Sequence, residues 1–194
     1  MAQPTHAPGI AQWYLLDAAD RIIAVDPYWD QFALTNNGGG ACAARIIGQP
    51  LLHFISGDTP RMFMSAVLAG VRLTGKPRQL PYRCDSPTQL RQLEMLIRRL
   101  PGDQIRVEHR LLHALPQHSL HTLRGVSGTV TPRRPPMLRC SQCLLVHRPA
   151  FGWTEPDLLP AGRHDIVETI CPRCAVLAEP PQPAAAARQY PASP

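Results

Sequence analysis

No run of about 18 consecutive apolar residues occurs in the chain, so no segment is expected to cross a bilayer as a helix. The opening Met-Ala-Gln-Pro-Thr-His-Ala-Pro has no basic stretch leading into an apolar one and does not read as a secretory leader. Without an export signal, the six cysteines are expected in a reducing compartment, the cytosol, where thiolates act as ligands rather than forming disulfides. Aromatic residues are scarce at 6%, although a hydrophobic fraction of 44% suffices for a globular core. Enzymatic groupings are missing too. Ser56 and Ser86 stand in turn contexts, no nucleophile–base–acid arrangement or paired-carboxylate motif stands out, and Asn36-Asn37-Gly38-Gly39-Gly40 lacks the order of a phosphate-binding glycine loop. The chain is therefore not expected to be an enzyme.

What is present begins with Cys140-Ser141-Gln142-Cys143 and its counterpart Cys171-Pro172-Arg173-Cys174. In each C-x-x-C turn both sulfurs can face one side of a tight loop. Two such loops facing each other supply the four thiolates that structural zinc takes, tetrahedrally, at roughly 2.3 Å. The surrounding segment, residues 138–176, is too short to bury a core of its own, and chains below about 40 residues usually need a metal, disulfides or a partner to fold. Catalytic zinc is disfavoured because four thiolates leave no position for water. A thiol–disulfide redox role is the alternative, but Cys171-Pro-Arg-Cys174 is followed by only a few residues before a proline-rich tail, not by a helix long enough to activate a thiol.

Proline, at 22 residues, is concentrated after about Leu115, which divides the chain into a folded first part and a looser second part. Gln12–Asp17 and Ile22–Val25 read as a hairpin. Asp26-Pro27 opens a helix carrying Trp29, Phe32 and Ala33. A second, longer helix is expected over 61–73, capped by Asp58 or Thr59, buried along Phe63, Met64, Val67, Leu68 and Val71, and stopped by Gly75. Three strands follow, at 78–84, 90–100 and from Ile105 onward, the last placing Ile105, Val107, His109 and Leu111 on one face. The fold class is α+β: a five-stranded antiparallel sheet with helices on one side, followed by a small zinc-ribbon-like module.

From Gln12 to Ala114 this order resembles a PAS domain. The residues that carry the likeness are Leu16-Asp17-Ala18-Ala19-Asp20-Arg21-Ile22-Ile23-Ala24-Val25-Asp26-Pro27, Ile47-Gly48-Gln49-Pro50-Leu51 with Phe54-Ile55, the helix ending at Gly75-Lys76-Pro77, and the last three strands. The second half is similar to a paired-cysteine segment that ends some bacterial PAS-containing signalling proteins, with its Cys140-Ser141-Gln142-Cys143 start, Trp153, and Ile170-Cys171-Pro172-Arg173-Cys174 finish. A histidine common before the final Ile-Cys is absent here, with Glu168 and Thr169 in its place. The expected division is a flexible lead-in (1–11), a PAS-like sensor (12–115), a Pro-rich linker (116–137), a zinc module with ligands Cys140, Cys143, Cys171 and Cys174 (138–176), and a disordered tail (177–194).

The remaining candidates have plainer readings. Cys42 does not match the Asn-Cys-Arg-Phe motif of flavin-binding PAS relatives, and Cys84 reads as a core or edge residue. His53 and His109 are expected to be partly buried or surface histidines rather than haem ligands, because haem PAS domains usually present histidine from the long helix, and residues 61–73 contain none. His147 and His164 lie inside the cysteine module but are not needed as ligands. Arg133, Arg134, Arg139, Arg148 and Arg163, in a chain of net charge +6, make a basic face that permits nucleic-acid binding, although no aromatic run interleaves with them. The implied function is a cytosolic bacterial PAS sensor or adaptor that acts by binding a protein partner or itself. Its structural cofactor would be zinc, and its PAS ligand is not named by the residues. A nucleic-acid-binding regulator and a thiol redox sensor are the alternatives.

Overall fold

The computed structural model describes residues 12–35, 38–85, 88–117, 121–126 and 135–179. The expected lead-in, Asn36, Asn37, Ser86, Arg133, Arg134, much of the expected linker and nearly all of the expected tail lie outside the described residues. The protein is α+β.

The first strand pair follows from the chemistry of Asp17. Its Oδ1 accepts the Ala19 and Arg21 N–H groups at 2.9 and 2.8 Å, which closes the turn between β1 (Gln12–Leu16) and β2 (Ile22–Val25). Asp26 then takes the Tyr28 N–H at 2.8 Å. Pro27 and Tyr28 are spent on that turn, so helix α1 runs Trp29–Thr35 and starts three residues later than Asp26. A single turn, α2 (Ala43–Ile46), precedes α3 (Asp58–Thr74). That long helix begins earlier than the sequence predicts because Gly57, not Asp58 or Thr59, is its N-cap. It ends as expected, with Gly75 left-handed at φ 67° and its N–H on the Val71 carbonyl.

Strands β3 (Arg78–Arg83), β4 (Gln89–Arg99) and β5 (Ile105–Pro116) complete an antiparallel sheet in the order β2-β1-β5-β4-β3. Its inner face supplies Leu16, Leu80, Ile97, Ile105 and Val107, and α3 supplies Phe63, Met64, Val67, Leu68 and Val71. Together they form one core. Leu111 does not join it. A register shift near Leu93, which lies opposite Leu111 while Gln92 lies opposite His113, breaks the alternation, and Leu111, Leu112 and Leu115 are exposed beyond the shift.

The cysteine segment is built on a second sheet. Strand β6 (His121–Gly125) lies within the segment expected to be an extended linker, and it pairs in parallel with β10 (Gly162–Thr169). On its other side β10 pairs in parallel with β7 (Met137–Cys140), which continues antiparallel to β8 (Val146–Arg148) and β9 (Gly152–Thr154). The result is a five-stranded mixed sheet, larger than a pair of cysteine loops requires. Short helix α4 (Pro172–Ala175) follows.

The two sheets meet at the free edge of β3. The Arg83 N–H donates to the Gln142 carbonyl at 2.9 Å, and the Gln142 amide nitrogen donates back to the Pro81 carbonyl at 2.8 Å. Arg78 donates to the Leu177 carbonyl, and Arg83 is ion-paired to Asp85 and Glu155. An exposed strand edge is thereby satisfied from within the chain. A second contact is set by Gly57, at φ 87° and ψ 144°, a conformation open almost only to glycine. A Cβ there would stand 2.7 Å from the Glu168 carbonyl oxygen. Gly48, at φ 84°, has nothing within 4 Å of its would-be Cβ. Gly57→Ala is therefore expected to cost about 2–4 kcal/mol, the sum of backbone strain and steric clash, and Gly48→Ala about 1–2 kcal/mol from strain alone. Urea denaturation of the two variants checks this; equal losses would mean that β10 does not press on the start of α3.

Candidate metal centre

Cys140 closes β7, and the chain turns back at once. The Leu144 N–H donates to the Cys140 carbonyl at 2.8 Å, and the Cys140 N–H to the Leu145 carbonyl at 2.9 Å. Leu144 adopts φ 59° to complete the turn. The second loop uses Cys171 as the cap of α4, with the Cys174 and Ala175 N–H groups on the Cys171 carbonyl at 3.0 and 2.9 Å. Parallel pairing of β10 with β7 places Thr169 opposite Cys140, and so carries Cys171 to the first loop.

All four sulfurs then lie within 4.8 Å of one another, with Cys143 and Cys171 Sγ atoms 3.8 Å apart. A tetrahedron of sulfurs about 2.3 Å from a central ion has edges of about 3.8 Å. Cys140, Cys171 and Cys174 are buried, and Trp153, Ile170 and Leu177 pack around them. The Cys171 N–H donates to Cys140 Sγ at 3.3 Å. The hydrogen bond from the Cys143 thiol holds Cys140 well below the usual thiol range, to about 4, and raises Cys143 in turn. Burial pushes Cys174 up to about 12, helped by its hydrogen bond with Cys171. Four sulfurs gathered this closely, three of them buried, suit a cation that would let all four ionise. The tetrad can hold a metal ion.

Its supports were only partly visible in sequence. Glu168, noted above as standing near the place of a missing histidine, lies opposite Arg139 in the parallel register and accepts its Nε–H at 3.0 Å. Its other oxygen accepts the Ser141 hydroxyl at 2.8 Å. Ser141, within the first C-x-x-C, is thus tied to the strand that delivers the second. Gln142, the other intervening residue, is buried and reaches β3. A polar pair between two cysteines carried no signal of its own in the sequence.

The other candidates fall away from the tetrad. His147 packs edge-on against Trp153, with ring centroids 5.3 Å apart, and His164 Nε2 lies 2.9 Å from the Pro160 carbonyl. Cys42 caps α2, half-buried, and Cys84 is exposed, so it is an edge residue. His53 is in a short turn before α3. Of the arginines, Arg139 is held by Glu168, and Arg148 lies 4.4 Å over the Phe151 ring and bonds the Leu158 carbonyl. Among the described residues no helix is long and apolar enough to cross a membrane. No family model matches the chain, and no curated protein matches it in sequence.

His109 is half-buried on the inner face, and its Nδ1 shares a 2.7 Å hydrogen bond with the Tyr82 hydroxyl. Burial lowers its pKa to about 4 and raises that of Tyr82. The folded chain therefore keeps His109 neutral where the unfolded chain would protonate it. That contribution to stability is complete above the unfolded value of about 6.5 and is lost as pH falls from there toward about 4. Between those limits the stability of wild type relative to His109→Gln is expected to drop by up to about 1.4 kcal/mol per pH unit. Urea midpoints of the two proteins from pH 7 to 4 test it; parallel curves would place His109 in contact with water.

Proposed function

We propose that the protein is a PAS-type sensor or adaptor in signal transduction, acting through protein contacts, in which a structural zinc ion on Cys140, Cys143, Cys171 and Cys174 holds an interaction module against the sensor sheet. The order of two strands, short helices, one long helix and three antiparallel strands supports the PAS part of this reading. Four converging sulfurs, three of them buried, support zinc in a structural role, since four thiolates leave no open coordination position.

The observation that carries the adaptor reading is the docking of the first cysteine loop on the edge of β3 through Gln142, Pro81 and Arg83. Through that contact a change in the sensor sheet alters how the module is presented, and a partner that binds the module biases the sheet in return. The rival readings have less to draw on. Arg139 and Arg148 are engaged within the chain and are poorly placed to neutralise phosphates. Two of the four thiols are almost fully buried, and α4 is a single turn, which gives a redox enzyme neither access nor a helix dipole.

The test is affinity capture from an extract of the source cell, using the full chain as bait. The proposal expects a saturable protein partner that survives nuclease and is lost with Cys171→Ser. With Gln142→Ala, which spares the sulfurs, capture weakens. Nuclease-sensitive capture, or substrate turnover by the purified chain alone, contradicts it.

A further inference from the structure

A cavity of about 210 Å³ opens on the inner face of the first sheet, between α1 and the ends of β1, β3, β4 and β5. Four rings line it: Trp29 and Phe32 from α1, Tyr82 from β3 and His109 from β5. Tyr82 and His109 stand nearly perpendicular, with centroids 5.6 Å apart. Directly opposite His109 in the β1–β5 register lies Gln12, which also lines the cavity and is 3% exposed.

Gln12 is the anomaly of this region. Neither its amide oxygen nor its amide nitrogen has a hydrogen-bond partner, and each such buried group costs about 1–3 kcal/mol if left bare. Three neighbouring ring substituents or atoms are engaged: Trp29 Nε1 donates to the Ala41 carbonyl at 2.7 Å, and the Tyr82 hydroxyl and His109 Nδ1 bond each other. Arg91, the charged residue of the lining, donates its Nε–H to the Cys84 carbonyl at 2.7 Å. The Gln12 side chain thus offers a guest an acceptor and a donor side by side, in the plane of one amide. A group with the reverse pair on one edge satisfies both at once, and flat walls accept a flat body. The volume is below the range of about 300–1,000 Å³ usual for large ligands, which leaves room for one or two fused rings.

We propose that this cavity binds a small, uncharged, planar cyclic amide, its N–H/C=O edge paired with the Gln12 side chain and its faces against Trp29, Phe32, Tyr82 and His109. Such a guest would be the input of the sensor proposed above. The proposal rests on that reading only for this consequence, because the cavity is formed without the cysteine module.

The probes are 2-quinolinone, quinoline, which has the same outline without the amide edge, and quinoline-2-carboxylate. Each is titrated into the full chain by calorimetry and by thermal shift. The expected result is that 2-quinolinone binds at least about tenfold more tightly than either comparator. Gln12→Leu is expected to abolish that preference while raising the melting temperature of the unliganded chain, because it removes two unpaired polar groups. Leu111→Trp, which fills the cavity and leaves Gln12 intact, weakens all three probes. Equal affinity for quinoline, preference for the carboxylate, no binding by any probe, or a Gln12→Leu variant less stable than wild type would each overturn the proposal. Partner capture without probe binding sinks this proposal alone, whereas probe binding by a chain that captures no partner sinks the sensor reading alone.

Discussion

The second half of the structure depends on four sulfurs converging on one point. The strands around them are short: β7 has four residues, and β8 and β9 have three each. Sheets of such strands are marginal without a covering layer, and the apolar residues gathered around the sulfurs are few. The cysteine cluster therefore occupies the place that a hydrophobic core would take in a larger domain. If the tetrad holds the proposed ion, the fold of this half would depend on that cation and on the pH at which protons compete for sulfur.

The cluster is also continuous with the main core. Ile170, just before Cys171, and Leu177, just after Cys174, pack against both the sulfurs and the core beneath the first sheet. Gln142 fastens the other cysteine loop to β3, and Gly57 lets β10 approach the start of α3. Each C-x-x-C loop is thus anchored twice, once to its sulfur partners and once to the first sheet. Glu168 links the two loops by receiving Arg139 and Ser141. If the tetrad holds the proposed ion, its loss would be felt at β3 and α3 as well as in the loops.

Local chemistry was legible where one residue decides the outcome. Gly75 stops α3 because only a left-handed residue ends it there, and the stripe Phe63, Met64, Val67, Leu68 and Val71 is the buried face because a helix repeats every 3.6 residues. The antiparallel sheet could be read from alternation in β4 and the first half of β5. The alternation failed past Leu93, where a register shift has no composition cue. Strand β6 was missed for a different reason: it lies in a stretch rich in histidine, serine and proline, and its strand state comes from pairing with β10, far along the chain. At the site, the four cysteines were legible from spacing alone. Glu168, Gln142 and Gln12 were not, because a buried polar residue is recognised by what surrounds it, and surroundings are a product of the fold.

X-ray absorption at the zinc edge, on the 194-residue chain purified without added metal and quantified by native mass, tests the central claim most directly. The account predicts one zinc per chain in a shell of four sulfurs at about 2.3 Å. A shell containing nitrogen or oxygen ligands, or a metal-free chain lighter by two hydrogens for each cysteine pair, would contradict it.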